Sequence, residues 1–89
     1  MNKKILIYHH DPAHGWIEVD YVELEVLGIQ DKITSYSYIN RDTVYLEEDC
    51  DAGLYYNKLQ SLGVEVEIKD IYYESDSFIR DLPGYKARD

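Results

Sequence analysis

With one cysteine in 89 residues, the chain can close no internal disulfide and cannot build a cysteine-paired zinc site, which needs two thiols. Cys50 therefore suits a reducing compartment, and the expected location is the cytoplasm. Basic residues are scarce too. Nine Lys and Arg stand against eighteen Asp and Glu, for a net charge of −9. That balance argues against direct binding to nucleic acid or to anionic membranes, whose phosphates must be neutralised by Lys and Arg. A protein with a basic surface is the expected partner. Long apolar runs are missing. Lys3 and Lys4 precede only Ile5-Leu6-Ile7, too short for a signal peptide or a membrane span, and Tyr8-His9-His10 ends the run. A glycine-rich phosphate loop is absent as well, and a chain this short has little material for a pocket, so the reading leans away from an enzyme.

What is present makes one small domain over residues 1–89. Hydrophobic residues are 45% and charged residues 30% of the chain, a globular composition with a small core. Residues 3–8 are β-formers and read as a first, central strand. Asp11-Pro12 and Gly15 supply turn chemistry, and Trp16 to Val19 resumes an extended pattern. A helix follows, with Asp20 as N-cap, Glu23 in the capping-box position, Tyr21, Leu24 and Leu27 with Val22 and Val26 on its apolar face, and Gly28 as its stop. Ser35-Tyr36-Ser37-Tyr38 and Thr43 to Glu47 alternate around a turn at 40–42 and form a second hairpin. Asp49 or Asp51 caps a second helix, with Ala52, Tyr55, Leu59 and Leu62 inward and Gly63 as its end. Val64 to Lys69 is a last strand, with a bulge near Asp70, and residues 75–82 form a helical turn that docks Phe78, Ile79 and Leu82 over the sheet edge. Pro83-Gly84 releases a polar tail over 84–89. The order ββαββαβ is an α+β fold with an antiparallel or mixed sheet and both helices on one face.

If each helix runs antiparallel to the strand before it, the His9 to His14 loop and the Glu47 to Asp51 segment arrive at the same end. Three chemistries compete there. His10 and His14 with Asp11 and Asp49 form a candidate site for a divalent transition metal, the alternative to a protein without cofactor, although a His-x-x-x-His pair shares a face only in a helix. Cys50 at a helix start with a histidine base is a candidate nucleophile, but the surrounding carboxylates raise a thiol pKa, and an interior cysteine is the better reading. The third is a recognition surface. Ten tyrosines exceed what a small core absorbs, and tyrosine supplies rigid amphipathic contact area. Glu47, Glu48, Asp49, Asp51 and Asp76, interleaved with Tyr45, Tyr56, Tyr72 and Tyr73, form the candidate partner-binding set. Acids among flat rings can imitate nucleic acid toward a basic partner.

His10-Asp11-Pro12-Ala13-His14-Gly15-Trp16, Tyr36-Ser37-Tyr38 and Tyr45-Leu46-Glu47-Glu48-Asp49-Cys50-Asp51-Ala52 resemble a group of short uncharacterised proteins of bacteria, phages and mobile elements, over nearly the whole chain. The resemblance implies that genomic company and transfers no catalytic residue. It favours host-interaction roles, such as inhibition of a restriction or CRISPR nuclease. The expected function is thus a non-enzymatic protein-binding module, with a small metal-binding or hydrolytic protein as the alternative. A dimerising protein that pairs its exposed sheet edge with a copy of itself is a third reading, so the chain is expected as monomer or homodimer.

Overall fold

A computed structural model describes residues 3–88. The elements run β1 (Lys3–His10), β2 (Gly15–Asp20), α1 (Tyr21–Leu27), β3 (Tyr38–Asn40), β4 (Thr43–Glu47), α2 (Ala52–Ser61) and β5 (Glu65–Tyr72), followed by a 3-10 turn at Phe78–Asp81. This is the ββαββαβ order expected. The five strands form one mixed sheet in the order β3-β4-β2-β1-β5. β1 is antiparallel to β2 and parallel to β5, from Lys3↔Glu65 to His10↔Tyr72.

Strand alternation decides the faces. Leu6, Ile17, Val19, Val44 and Leu46 point to one side, where Tyr21 and Leu24 of α1 and Ala52, Tyr55 and Leu59 of α2 complete the main core. Both helices therefore cover the same face. On the other face Trp16 and Tyr45 pack against Ile79 of the 3-10 turn, with Tyr38 and Leu82 at the margin. The helices end alike: Gly28 and Gly63 take φ of 72° and 73°, and the next amides, of Ile29 and Val64, reach back to Leu24 O and Leu59 O at 3.0 Å. Among the described residues no helix is long and apolar enough to cross a membrane.

Several local expectations are corrected. Neither Asp20 nor Asp51 bonds its side chain to a helix amide, though each occupies the N-cap position. Glu23 leaves the capping box to accept from Tyr55 Oη and to pair with Lys4 at 2.8 Å. Val22, Val26 and Leu62 are exposed, so the apolar faces are narrower than the spacing suggested. β3 begins at Tyr38 because Ser37 turns inward to a buried carboxylate. β5 continues through Asp70 without a bulge, paired residue by residue with β1. Phe78 is exposed and the 3-10 turn lies on the face of the sheet, not over its edge.

The released tail is corrected as well. Gly84 bridges Tyr38, Tyr85 N donates to Ser37 O at 2.7 Å, and Tyr85 is buried in the main core. Arg88 lies over the Tyr21 ring at 4.3 Å; Asp89, the last residue of the expected tail, lies outside the described residues. The β3 edge is thereby closed by chain that the sequence read as free. Tyr85→Ala is expected to cost about 3 to 4 kcal/mol in urea unfolding, the range for removing a buried aromatic ring, whereas a free tail would show no change.

Candidate functional site

The β1–β2 loop is folded around one carboxylate. Asp11 Oδ1 accepts from the amides of Ala13 and His14, both at 3.0 Å, which fixes the turn. Its other oxygen accepts from Ser77 N at 3.2 Å and from Arg80 Nε at 2.6 Å, while a second guanidinium N–H reaches Oδ1 at 2.9 Å. The fork-shaped Arg80 contact holds the Asp11 carboxyl well below the usual carboxylate range, with the loop amides adding to it and burial opposing it. Arg80 in turn lies over the Trp16 ring at 5.5 Å.

The β4–α2 turn has a similar anchor. Asp51 is buried and accepts from Thr34 N and Oγ1 and from Ser37 Oγ. Ser37 Oγ accepts from Glu47 N at 3.0 Å. This chain of bonds holds the 34–38 segment, with Tyr36 and Tyr38, beside Glu47. The two loops then meet at Gly15, whose carbonyl accepts from Glu48 N at 3.0 Å. A Cβ there would fall 2.5 Å from the Tyr8 ring and 3.0 Å from Glu48 Oε2, so only glycine permits the approach. Tyr8 Oη donates to Glu48 at 3.0 Å, and its pKa is pushed up to about 12 by burial first and by that carboxylate second.

Between the loops lies a cleft of about 240 Å³. Trp16, Tyr36 and Tyr38 supply aromatic surface; His14, Glu47, Asp49, Cys50 and Arg80 supply the polar groups. Ligand atoms of His14, Glu47, Glu48 and Asp49 lie within 4.8 Å of one another. The only basic side chain within 4 Å of these carboxylates among the described residues is the His14 imidazole, whose Nδ1 is 3.7 Å from Glu47 Oε2. Glu47 is buried, and its second oxygen accepts from Asp49 N at 2.9 Å. The indole N–H of Trp16 is buried without a partner among the described residues.

The structure sorts the expected residues. It brings His14, Glu47, Glu48 and Asp49 together, separates His10 from them, and fills the oxygens of Asp11 with loop amides and Arg80. His10 sits on the helix-covered face, stacked between Tyr8 at 4.1 Å and Tyr72 at 4.8 Å, and bonds Asp70 at 2.7 Å. Asp11 is committed to Arg80. The set His10, His14, Asp11 and Asp49 is thus not one site. Asp51 and Tyr45 are buried and cannot meet a partner; Tyr56, Tyr72 and Asp76 are exposed, and Tyr73 is half-buried against His9. Cys50 is exposed, not interior, and its thiol is pushed up by desolvation, then by its bond to Glu47 and the nearby Asp51 and Asp49. That is the reverse of an activated nucleophile. Missed altogether were Trp16, Tyr36, Tyr38 and Arg80 as cleft residues. His9, read as part of the His9 to His14 loop, is instead buried in β1, with nitrogens 2.9 Å from Tyr73 Oη and 2.8 Å from Glu18 Oε1.

No protein-family model, curated protein or solved structure matches the chain.

The Asp11 network yields a pH test. A carboxyl held low in the fold stabilises it fully above the ordinary carboxylate pKa near 4, and that contribution is lost as pH falls from about 4 toward the folded value. Asp11→Ala should cost about 2 to 3 kcal/mol at neutral pH, toward the lower end for a buried pair because Arg80 keeps 28% of its side chain in water. In acid titrations of stability the variant should converge on the parent below pH 4; parallel curves would sink the assignment.

Proposed function

We propose that this protein is a small acidic protein-binding module that takes an arginine or lysine side chain of its partner into the cleft between the β1–β2 loop and the β4–α2 turn. The observation that carries the reading is the pair of carboxylates that line the cleft, Glu47 and Asp49, with Glu48 close by on the Tyr8 side and no Lys or Arg of the described chain within 4 Å of the three. Aromatic rings beside uncompensated carboxylates favour a cation with an apolar stem. The protein carries an internal example of this chemistry, since Arg80 lies over Trp16 with Asp11 gripping its guanidinium. The free part of the cleft offers Tyr36 and Tyr38 with Glu47 and Asp49 for a second cation.

A partner that matches is a cytoplasmic protein whose basic surface serves nucleic acid. Occupying that surface would make this chain an inhibitor of a nucleic-acid-binding host defence factor, the role favoured by the resemblance to phage and mobile-element proteins. Such binding needs no cofactor and no catalytic residue.

A second reading rests on the same four residues. His14 with Glu47, Glu48 and Asp49 offers nitrogen and oxygen ligands to a divalent metal, and their mutual distances within 4.8 Å suit one ion.

One experiment separates the two. Trp16 is the only tryptophan and lines the cleft, so its emission reports occupancy. Titration with a short Gly/Arg peptide at low salt should change that emission, with affinity falling as salt rises; Tyr36→Ala and Asp49→Lys should each weaken it roughly tenfold or more. Zinc or manganese in place of the peptide, with melting followed in chelator, tests the metal. An emission change and melting shift produced by metal and lost in His14→Ala, with no peptide response, would replace the binding-module reading by the metal one.

A further inference from the structure

The two edges of the sheet are treated differently. β3 is short and capped by the Gly84 bridge and by the Ile39 N–H bond to Pro83 O at 3.0 Å. β5 spans eight residues and, among the described residues, pairs only with β1. Tyr73 N donates to His10 O at 2.8 Å, which sets the phase of the parallel ladder. Odd-numbered residues of β5 turn their amides and carbonyls toward β1, and Val66, Ile68, Asp70 and Tyr72 turn theirs outward. Ile68 and Ile71 are also substantially exposed, and Tyr72 is 75% exposed.

An edge this long ordinarily needs protection, and charged side chains are one form of it. Here the charges are self-complementary. In an antiparallel pair of β5 strands related by a twofold axis through Ile68, the outward groups of Ile68 face those of the other Ile68, and Val66 faces Asp70. Glu67 of each copy then lies opposite Lys69 of the other on the adjacent non-hydrogen-bonded positions, where side chains come closest. Moving the axis by one residue in either direction sets Glu67 against Glu67 or Lys69 against Lys69, and moving it to Asp70 opposes two aspartates. One register alone therefore joins opposite charges around an isoleucine pair.

We propose that β5 is a homodimerisation edge, with a second copy of this chain as its occupant, in antiparallel register about Ile68. The pair forms about six backbone hydrogen bonds between residues 66 and 70 of the two copies and makes one continuous sheet with all helices on one face. β5 lies at the far side of the sheet from β3 and β4, so the cleft stays open in each copy.

Sedimentation equilibrium of the full chain over a concentration series tests this. The expected mass moves from 10.5 kDa toward twice that value. Ile68→Pro should hold the protein at the monomer mass with its circular dichroism unchanged, because the lost N–H faces outward and proline is tolerated on such an edge. Lys69→Glu should raise the dimer dissociation constant roughly tenfold. Glu67 also pairs with Lys3 of its own chain at 2.8 Å, so the charge swap Glu67→Lys with Lys69→Glu should restore it only when Lys3→Glu is made as well. A monomer mass at every concentration overturns the proposal. So does a dimer that both Ile68→Pro and Lys69→Glu leave intact, since it must use another surface.

Discussion

The arrangement of this protein depends on the buried carboxylate of Asp51. A charge withdrawn from water is tolerated only when its lone pairs are filled, and Thr34 and Ser37 fill these. Because Ser37 also accepts from Glu47 N, one ionic group joins the start of α2, the end of β4 and the loop that carries Tyr36. Asp11 plays the same part for the β1–β2 loop and the 3-10 turn through Arg80. Two of the eighteen acids are thus internal fasteners. The β2–β4 ladder sets Trp16 opposite Glu47 and so brings the His14 loop beside the acids; the two fasteners hold Tyr36 and the loop itself in place there.

The order of elements was legible because the signals were local: alternating strands, helices stopped by Gly28 and Gly63, and a turn at 40–42. Meeting of the His14 loop with Glu47 to Asp49 followed from connectivity alone. What failed was side-chain direction. β1 runs two residues further than its β-formers, to His10, and the strand's period of two carries His10 to the helix-covered face beside Tyr8, away from His14. With the commitment of Asp11 to Arg80, this dissolves the expected metal set. Alternation in Ser35 to Tyr38 imitated a strand, but Ser37 was inward to serve Asp51, a partner distant in sequence. Pro83-Gly84 read as the end of structure, yet Tyr85 finds a place in the core through contacts no local pattern encodes. Trp16, Tyr38 and Arg80 looked like packing residues. Only the fold shows that they line a cleft with uncompensated acids.

The cleft and the β5 edge lie on different sides of the sheet, and this separation bears on affinity. Two copies joined through β5 would hold two clefts in fixed relation, so a partner with two basic side chains at a matching distance would be gripped twice, the second time at high effective concentration. On the proposed reading a single cleft would take one side chain and hold it weakly by itself. Tyr72, Tyr8 and His10, stacked close to the edge on the helix-covered face, would then flank the dimer seam, with Tyr72 about 13 Å along the strand from the twofold axis.

The pairing of β1 with β5 also sets how the chain must fold. β1 is second from the edge and central to the core through Leu6, yet one of its two neighbours is the last strand made. Closing that contact costs the entropy of the largest loop closed by any strand pairing before any of its ladder is gained. During synthesis β1 can do no more than hairpin with β2 until residues 65–72 have emerged, and Ile5 to Ile7 stay open on one side until then. Assembly of the sheet is accordingly a late, nearly all-or-none event, and the chain's period of greatest exposure to aggregation or proteolysis ends when β5 arrives.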